Sequence, residues 1–188
     1  NIFAACQGKA LPFLLSSANS INIGRLAPQI MYYFKSYADL LSRKVISLGD
    51  KVDFSVPTGN FGDILAGYLA KKLGLPVGRL ICASNANNVL TDFIHTGIYD
   101  RRRPLLKTQS PSMDILVSSN LERLLFDLSG ENDEEVRGYM AALSKDGKYE
   151  VSDTIKAAVK DYYDKNGIEY DHSKFPECAG CDGECCMV

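Results

Sequence analysis

The chain has 188 residues, 46% of them hydrophobic and 23% charged, with a formal net charge of −2. That is the profile of a soluble globular domain with a real core, and it offers no electrostatic footprint for nucleic acid or for an anionic membrane. No apolar run reaches the roughly 18 residues that a membrane helix needs, and nothing reads as a signal peptide, so a cytoplasmic setting is expected.

The chain opens on Asn1 in what reads as mid-pattern, so a fragment or a processed chain is expected. Residues 1–18 carry apolar clusters with little periodicity. From Ile21 a helical pattern sets in, with Ile23, Leu26, Ala27, Ile30, Met31, Phe34 and Tyr37 recurring at three and four. Asn22 or Ser20 could cap it, Pro28 falls early, and the pattern fades near Ser42. Gly49-Asp50 marks a turn. Val52 to Val56 is β-branched and aromatic, a short strand. It runs into Pro57-Thr58-Gly59-Asn60-Phe61-Gly62-Asp63. Ile64 to Leu73 then reads as a helix, closed by Gly74 with Pro76 beyond. A second strand follows at Arg79 to Ala83. Strand, turn, helix and strand predict a right-handed βαβ unit. The fold class expected is therefore α/β, a parallel sheet with flanking helices.

Asn87-Asn88 should cap a helix through Ile94 that ends near Gly97. Tyr99 to Met113 is loop-like, with Pro104 and Pro111. Ser118-Ser119-Asn120 precedes a helix over Leu121 to Leu128. Asn132 to Leu143 is another, with Glu134 and Glu135 suited to its positive end. Ser152-Asp153 caps a last helix to about Tyr163. Beyond Asn166-Gly167 glycine, cysteine and acids replace the apolar periodicity, so a domain over 1–166 and a Cys-rich tail over 167–188 are expected. Arg101-Arg102-Arg103 beside Asp100 reads as a solvated loop.

The stretch most suggestive of chemistry is Gly59 to Asp63. Two glycines between a strand and a helix let the chain turn sharply and direct successive amides to one point. The helix adds unpaired amides and the positive end of its dipole. Such a junction suits a phosphate; the plain alternative is a Gly-rich connection with no ligand. A carboxylate repels a phosphate, so the Asp63 amide should donate while its side chain supports the first helical turn. The match to a dinucleotide fingerprint is poor, since the third glycine is missing.

Asn19-Ser20-Ile21-Asn22, Arg25-Leu26, Gln29-Ile30 and Tyr32-Tyr33-Phe34 together resemble threonine synthases of the bacterial and fungal kind. So do Val56 to Ile64 with Ala66-Gly67-Tyr68 and Leu73-Gly74-Leu75-Pro76. So do Ser110 to Ile115, Ser118-Ser119-Asn120 and Glu122-Arg123. The blocks follow the family's order over roughly residues 18–160. The resemblance implies the tryptophan-synthase-β-like fold of lyases that use pyridoxal 5'-phosphate (PLP). It implies conversion of O-phosphohomoserine and water to threonine and phosphate. Gly59, Asn60, Phe61, Gly62 and Asp63 would then cradle the cofactor phosphate. Ser20 and Arg25 match positions that bind the substrate phosphate, and Asn60 is counted with them. An arginine fork and a hydroxyl donor suit that ligand. Five residues apart, the two converge only if Ser20 lies just before the helix. Without the family, Ser20 reads as an N-cap and Arg25 as a surface ion pair.

The family's covalent lysine lies in a segment that precedes a Phe-Lys-Asp, and this chain has no such triplet. Phe34-Lys35-Ser36 is the one Phe-Lys pair, and Lys35 reads as a surface residue. The segment that should partner the pyridine nitrogen is matched only weakly, around His172. No catalytic residue is therefore expected in this chain, and the rest of a parent enzyme is its implied partner. His95 suits a helix C-terminus. Cys6 and Cys82 read as buried thiols. Cys178, Cys181, Cys185 and Cys186 have knuckle-like spacing, yet a zinc site usually has a longer gap between ligand pairs. The rival readings are a non-catalytic phosphate- or PLP-binding module, or a metal-binding protein that works through this tail.

Overall fold

In the computed structural model, which describes residues 19–166, the apolar spacing after Asn22 becomes helix α1 (Ile23–Ser42). Asn22 caps it, its side chain accepting from the Gly24 amide at 2.8 Å. Leu26, Tyr33 and Tyr37 form its buried face. Strand β1 (Val52–Pro57) pairs in parallel with β2 (Val77–Ala83), with Phe54 opposite Leu80 and Val56 opposite Cys82. Helix α2 (Gly62–Lys72) connects them. It is apolar on most sides, burying Ile64, Leu65, Ala66, Tyr68 and Ala70 between α1 and the strands. Gly67 sets the α1–α2 distance: a Cβ there would stand 2.7 Å from the Tyr33 ring. The strand–helix–strand expectation holds, with α2 beginning two residues earlier and β2 starting at Val77 rather than Arg79.

Helix α3 (Val89–Thr96) leads into β3 (Ile98–Asp100). A 3-10 turn (Pro111–Met113) and α4 (Leu121–Leu128) follow. Then come α5 (Asp133–Asp146), β4 (Lys148–Glu150) and α6 (Asp153–Asn166). β3 and β4 were not expected. They pair antiparallel, with Tyr99 opposite Tyr149. The two rings stack at 5.3 Å, and Phe93 packs against both. Strands of three residues carry no readable period, and these two are joined by their aromatic core instead.

The basic triplet is partly paired: Arg102 bridges to Asp100 and Arg103 to Asp92. Cys82 is buried as expected, and burial pushes its thiol up to about 11. Cys6, His172, the expected boundary's far side and the Cys-rich tail lie outside the described residues.

Candidate functional site

β1 ends where Thr58 completes its pairing, its amide donating to the Ala83 carbonyl at 2.8 Å. Its hydroxyl donates to the Val56 carbonyl at 2.7 Å. The chain then turns through Gly59, Asn60 and Phe61 into α2. Phe61 makes the turn, with φ of 63° and ψ of 10°. This left-handed backbone is costly for a residue with a side chain, and burial of the Phe61 ring among core residues holds it there. Neither glycine has a positive φ, so their expected role in turning the chain is corrected. Gly59 provides clearance instead: a Cβ would sit 2.7 Å from Ile115 Cδ1 and 3.1 Å from the Ser112 carbonyl. Gly62 and Asp63 are already the first residues of α2 rather than loop.

The carbonyls of this turn are occupied. Gly59 accepts from the Ser118 hydroxyl at 2.7 Å, and Asn60 accepts from the Asn120 amide at 3.1 Å. The amides are not. Among the described residues, none of the N–H groups of Gly59 to Asp63 donates to a protein acceptor. Unmatched amides at a helix N-terminus suit an anion.

Ser20, Arg25 and Gly59 to Asp63 line one cavity of about 240 Å³. Gln29 stands on the α1 side, and Ser112 and Met113 close another wall. Ser20 does lie just before α1, the condition for its convergence with Arg25, and the capping residue is Asn22. A second cavity of about 180 Å³ lies between α1 and β1, lined by Tyr32, Tyr33, Ser36 and Phe54 to Pro57, and shares Asp63 with the first.

Asp63 departs from expectation. Its side chain makes no bond to the first turn of α2, and Oδ1 is buried with no hydrogen-bond partner among the described residues. Burial raises its carboxyl above the ordinary range, while the nearby Tyr33 hydroxyl works against that rise. That hydroxyl donates to the Asp63 carbonyl at 2.8 Å, and burial holds it far above the usual phenol range.

Lys35 lines neither cavity. Its Nζ lies 2.5 and 2.6 Å from the Asp39 carboxylate oxygens, and the side chain is 72% exposed. His95 stands in the last turn of α3, as expected. Among the described residues no group of three His, Cys, Asp or Glu side chains is placed to hold a metal ion. No helix among them is long and apolar enough to cross a membrane. Sequence reasoning missed the part played by Ser118, Ser119 and Asn120. Their block was visible as a helix entry and as part of the resemblance, but was given no role at the site.

No family model matches the chain. Threonine synthase from Pseudomonas aeruginosa is 46% identical to it over 167 residues, 87% of this chain and 34% of that protein. The crystal structure of PLP-bound threonine synthase from Brucella melitensis superposes with a TM-score of 0.70 at 44% identity, over 78% of this chain and 30% of that one. The chain belongs to the threonine synthase family. Threonine synthase-like 1 from Homo sapiens is 61% identical over 113 residues, 60% of this chain and 15% of that protein. The chain therefore spans between about a seventh and a third of the length of these threonine synthase relatives. Its parallel β1–β2 pair and flanking helices are a segment of their α/β fold.

Proposed function

We propose that this chain holds PLP by its phosphate at Gly59, Asn60, Phe61, Gly62 and Asp63. On this reading Ser20, Arg25 and Asn60 take the phosphate of O-phosphohomoserine in the threonine synthase reaction. One observation carries the reading. Residues about 40 positions apart in sequence, two of them at the head of α1 and five at the head of α2, line a single cavity. The residues present fit a phosphate. Five amides lack acceptors among the described residues, the helix end is positive, and Arg25 brings a planar cation. When bound, the cofactor supplies an electron sink for loss of phosphate and addition of water. The chain's own residues bind and orient: the amides hold one phosphate, while Ser20 and Arg25 hold the other as it leaves.

The covalent lysine and the partner of the ring nitrogen belong, on this reading, to the remainder of a threonine synthase. Residues 1–166 are then part of the catalytic domain and 167–188 a separable Cys-rich tail. The setting is cytoplasmic, where the buried Cys82 thiol stays reduced.

Titration of the full chain with PLP and with unphosphorylated pyridoxal tests the reading. PLP should bind and inorganic phosphate should compete, whereas pyridoxal should bind far more weakly. Arg25→Ala should weaken binding of O-phosphohomoserine by roughly 1.5–3 kcal/mol, the worth of a charge-assisted contact, and leave the PLP titration unchanged. Equal binding of pyridoxal and PLP would exclude a phosphate cradle. A cradle that binds with no turnover even when the rest of the enzyme is supplied would favour the rival, a non-catalytic binding module.

A further inference from the structure

Asn120 is 0% exposed, although proteins mostly leave asparagine in water. A buried amide is tolerated when its polar atoms are partnered. Here they are. Nδ2 donates to the Ser20 carbonyl at 2.8 Å and to the Asn60 carbonyl at 3.1 Å. Oδ1 accepts from Arg123 Nε at 3.2 Å, and Arg123 Nη2 goes on to the Ile21 carbonyl at 2.8 Å. Asn120 is also the N-cap of α4. An asparagine there ordinarily accepts from an amide of its own helix, but this one makes no such bond. Its side chain is committed to segments 100 and 60 positions away.

The two carbonyls it holds belong to the two walls of the 240 Å³ cavity, Ser20 on one and Asn60 on the other. Its neighbours extend the clamp. The Ser118 hydroxyl takes the Gly59 carbonyl, and the Ser119 hydroxyl reaches Asn60 Oδ1 at 3.4 Å. The carbonyls of Gly59 and Asn60 are thus drawn toward the 118–120 turn, while the cradle's amides find no acceptor among the described residues.

We infer that Asn120 is a positioning residue of the anion site. It ties Ser20 to Asn60 and so fixes the spacing between the Ser20–Arg25 wall and the amide cradle. The inference rests on the phosphate-binding reading above. Asn120 does not itself line the cavity and acts through the backbone it holds. Only an amide does this job: two donor hydrogens for two carbonyls, and one acceptor oxygen for Arg123.

The test uses inorganic phosphate as the probe, titrated by calorimetry into the full 188-residue chain. Four proteins are compared: wild type, Asn120→Leu, Arg123→Lys and Leu143→Ala. Leucine matches asparagine roughly in volume, and lysine keeps the charge of Arg123. Leu143→Ala truncates a buried side chain of α5 outside the cavity lining. Melting temperatures are read on the same samples. Asn120→Leu should bind phosphate roughly tenfold more weakly, and Arg123→Lys should lose less. Leu143→Ala should lower the melting temperature with its phosphate Kd unchanged. Wild-type affinity in a folded Asn120→Leu chain would overturn the assignment, as would an equal loss in Leu143→Ala. If Asn120→Leu does not fold, an unchanged Kd in Arg123→Lys overturns it instead. A wild-type chain that binds no phosphate would overturn the site itself, and this inference with it.

Discussion

Ser118 and Gly59 stand 59 positions apart, and the Ser118 hydroxyl donates to the Gly59 carbonyl at 2.7 Å. The Ser118 amide meanwhile donates to the Tyr99 hydroxyl at 2.8 Å, and Tyr99 stacks on Tyr149. One serine thus couples the antiparallel β3–β4 pair to the turn at the end of β1. The short strands, which were not expected from the sequence, buttress the turn at Gly59.

The clearance at Gly59 predicts a strong and only partly correctable defect. A methyl there meets a flexible group, Ile115 Cδ1 at 2.7 Å, and a rigid one, the Ser112 carbonyl at 3.1 Å. Gly59→Ala should destabilise the chain by about 1–3 kcal/mol, as overpacking does. Adding Ile115→Ala should recover the side-chain part of that loss beyond its own cavity cost and leave the carbonyl part. Urea denaturation of the four chains gives the coupling. Wild-type stability in Gly59→Ala would show that the turn is looser than its contacts indicate.

Gly62 behaves differently. A Cβ there meets only Asn120 Nδ2 at 3.5 Å and Gln29 Oε1 at 3.6 Å, both ordinary contacts. It is the first residue of α2, where alanine is the better helix former by roughly 0.5–1 kcal/mol. Gly62→Ala should therefore keep or raise the melting temperature. Its methyl should still crowd the cavity and weaken phosphate binding by about 1–3 kcal/mol. A drop in both quantities would mean that Gly62 serves the fold, and a drop in neither that the ligand sits elsewhere.

The two glycines show where sequence reading stops. The place of the strand-to-helix turn was legible, because a β-branched strand, a Gly-rich junction and a helix closed by Gly74 are all local signals. α1 was legible for the same reason, through the three-and-four spacing from Ile23 to Tyr37. The face it buries, however, is Leu26, Tyr33 and Tyr37, while Ile23 and Met31 of the expected stripe stand exposed. The mechanism of the turn was not. Glycine is the obvious candidate for left-handed backbone, but Phe61 takes it because the core holds its ring. Asn120 was read only as part of a block before a helix, because the carbonyls its side chain holds lie 60 and 100 positions away. Ser20 and Arg25 were brought forward only by resemblance, since nothing local says that the head of α1 meets the head of α2.

Two carboxyls should titrate with opposite sign. Asp114 accepts from the Thr108 amide at 2.9 Å, the Thr108 hydroxyl at 2.7 Å and the Asn85 amide group at 2.7 Å. These bonds, the Thr108 amide first, hold its carboxyl below the ordinary range. Its stabilising effect is complete above an unfolded value of about 3.9 and is lost as pH falls through the lower folded one. Asp63 is raised by burial, so its contribution is present below about 4 and is lost as pH rises through the folded value. Asp114→Asn should flatten the acid limb of stability. Asp63→Asn should raise stability at neutral pH and flatten the slope above about pH 4. Urea midpoints across that range decide the matter: unaltered slopes in both variants would refute the assignment of either group.

Lys35 supplies the last prediction, which is that this chain alone makes no threonine. A lysine that carries PLP covalently must reach the cofactor with a free amine. Among the described residues no lysine lines the 240 Å³ cavity. Lys35 is the one Phe-Lys lysine, and it projects from α1 with its ammonium held by Asp39 one turn on, 72% exposed. Bound as an ammonium it has three hydrogens to donate and no lone pair to attack a carbonyl. Phosphate anchoring without a nucleophile gives binding without turnover. Added PLP should therefore bind reversibly, borohydride reduction should leave no stoichiometric adduct on Lys35, and Lys35→Ala should bind PLP as the wild type does. Release of phosphate from O-phosphohomoserine should stay at background in both. Peptide mass mapping and a phosphate-release assay on the same preparation separate the outcomes. A single full-occupancy adduct at Lys35, accompanied by phosphate release, would make the chain an enzyme by itself and place the reacting end of the cofactor beside α1.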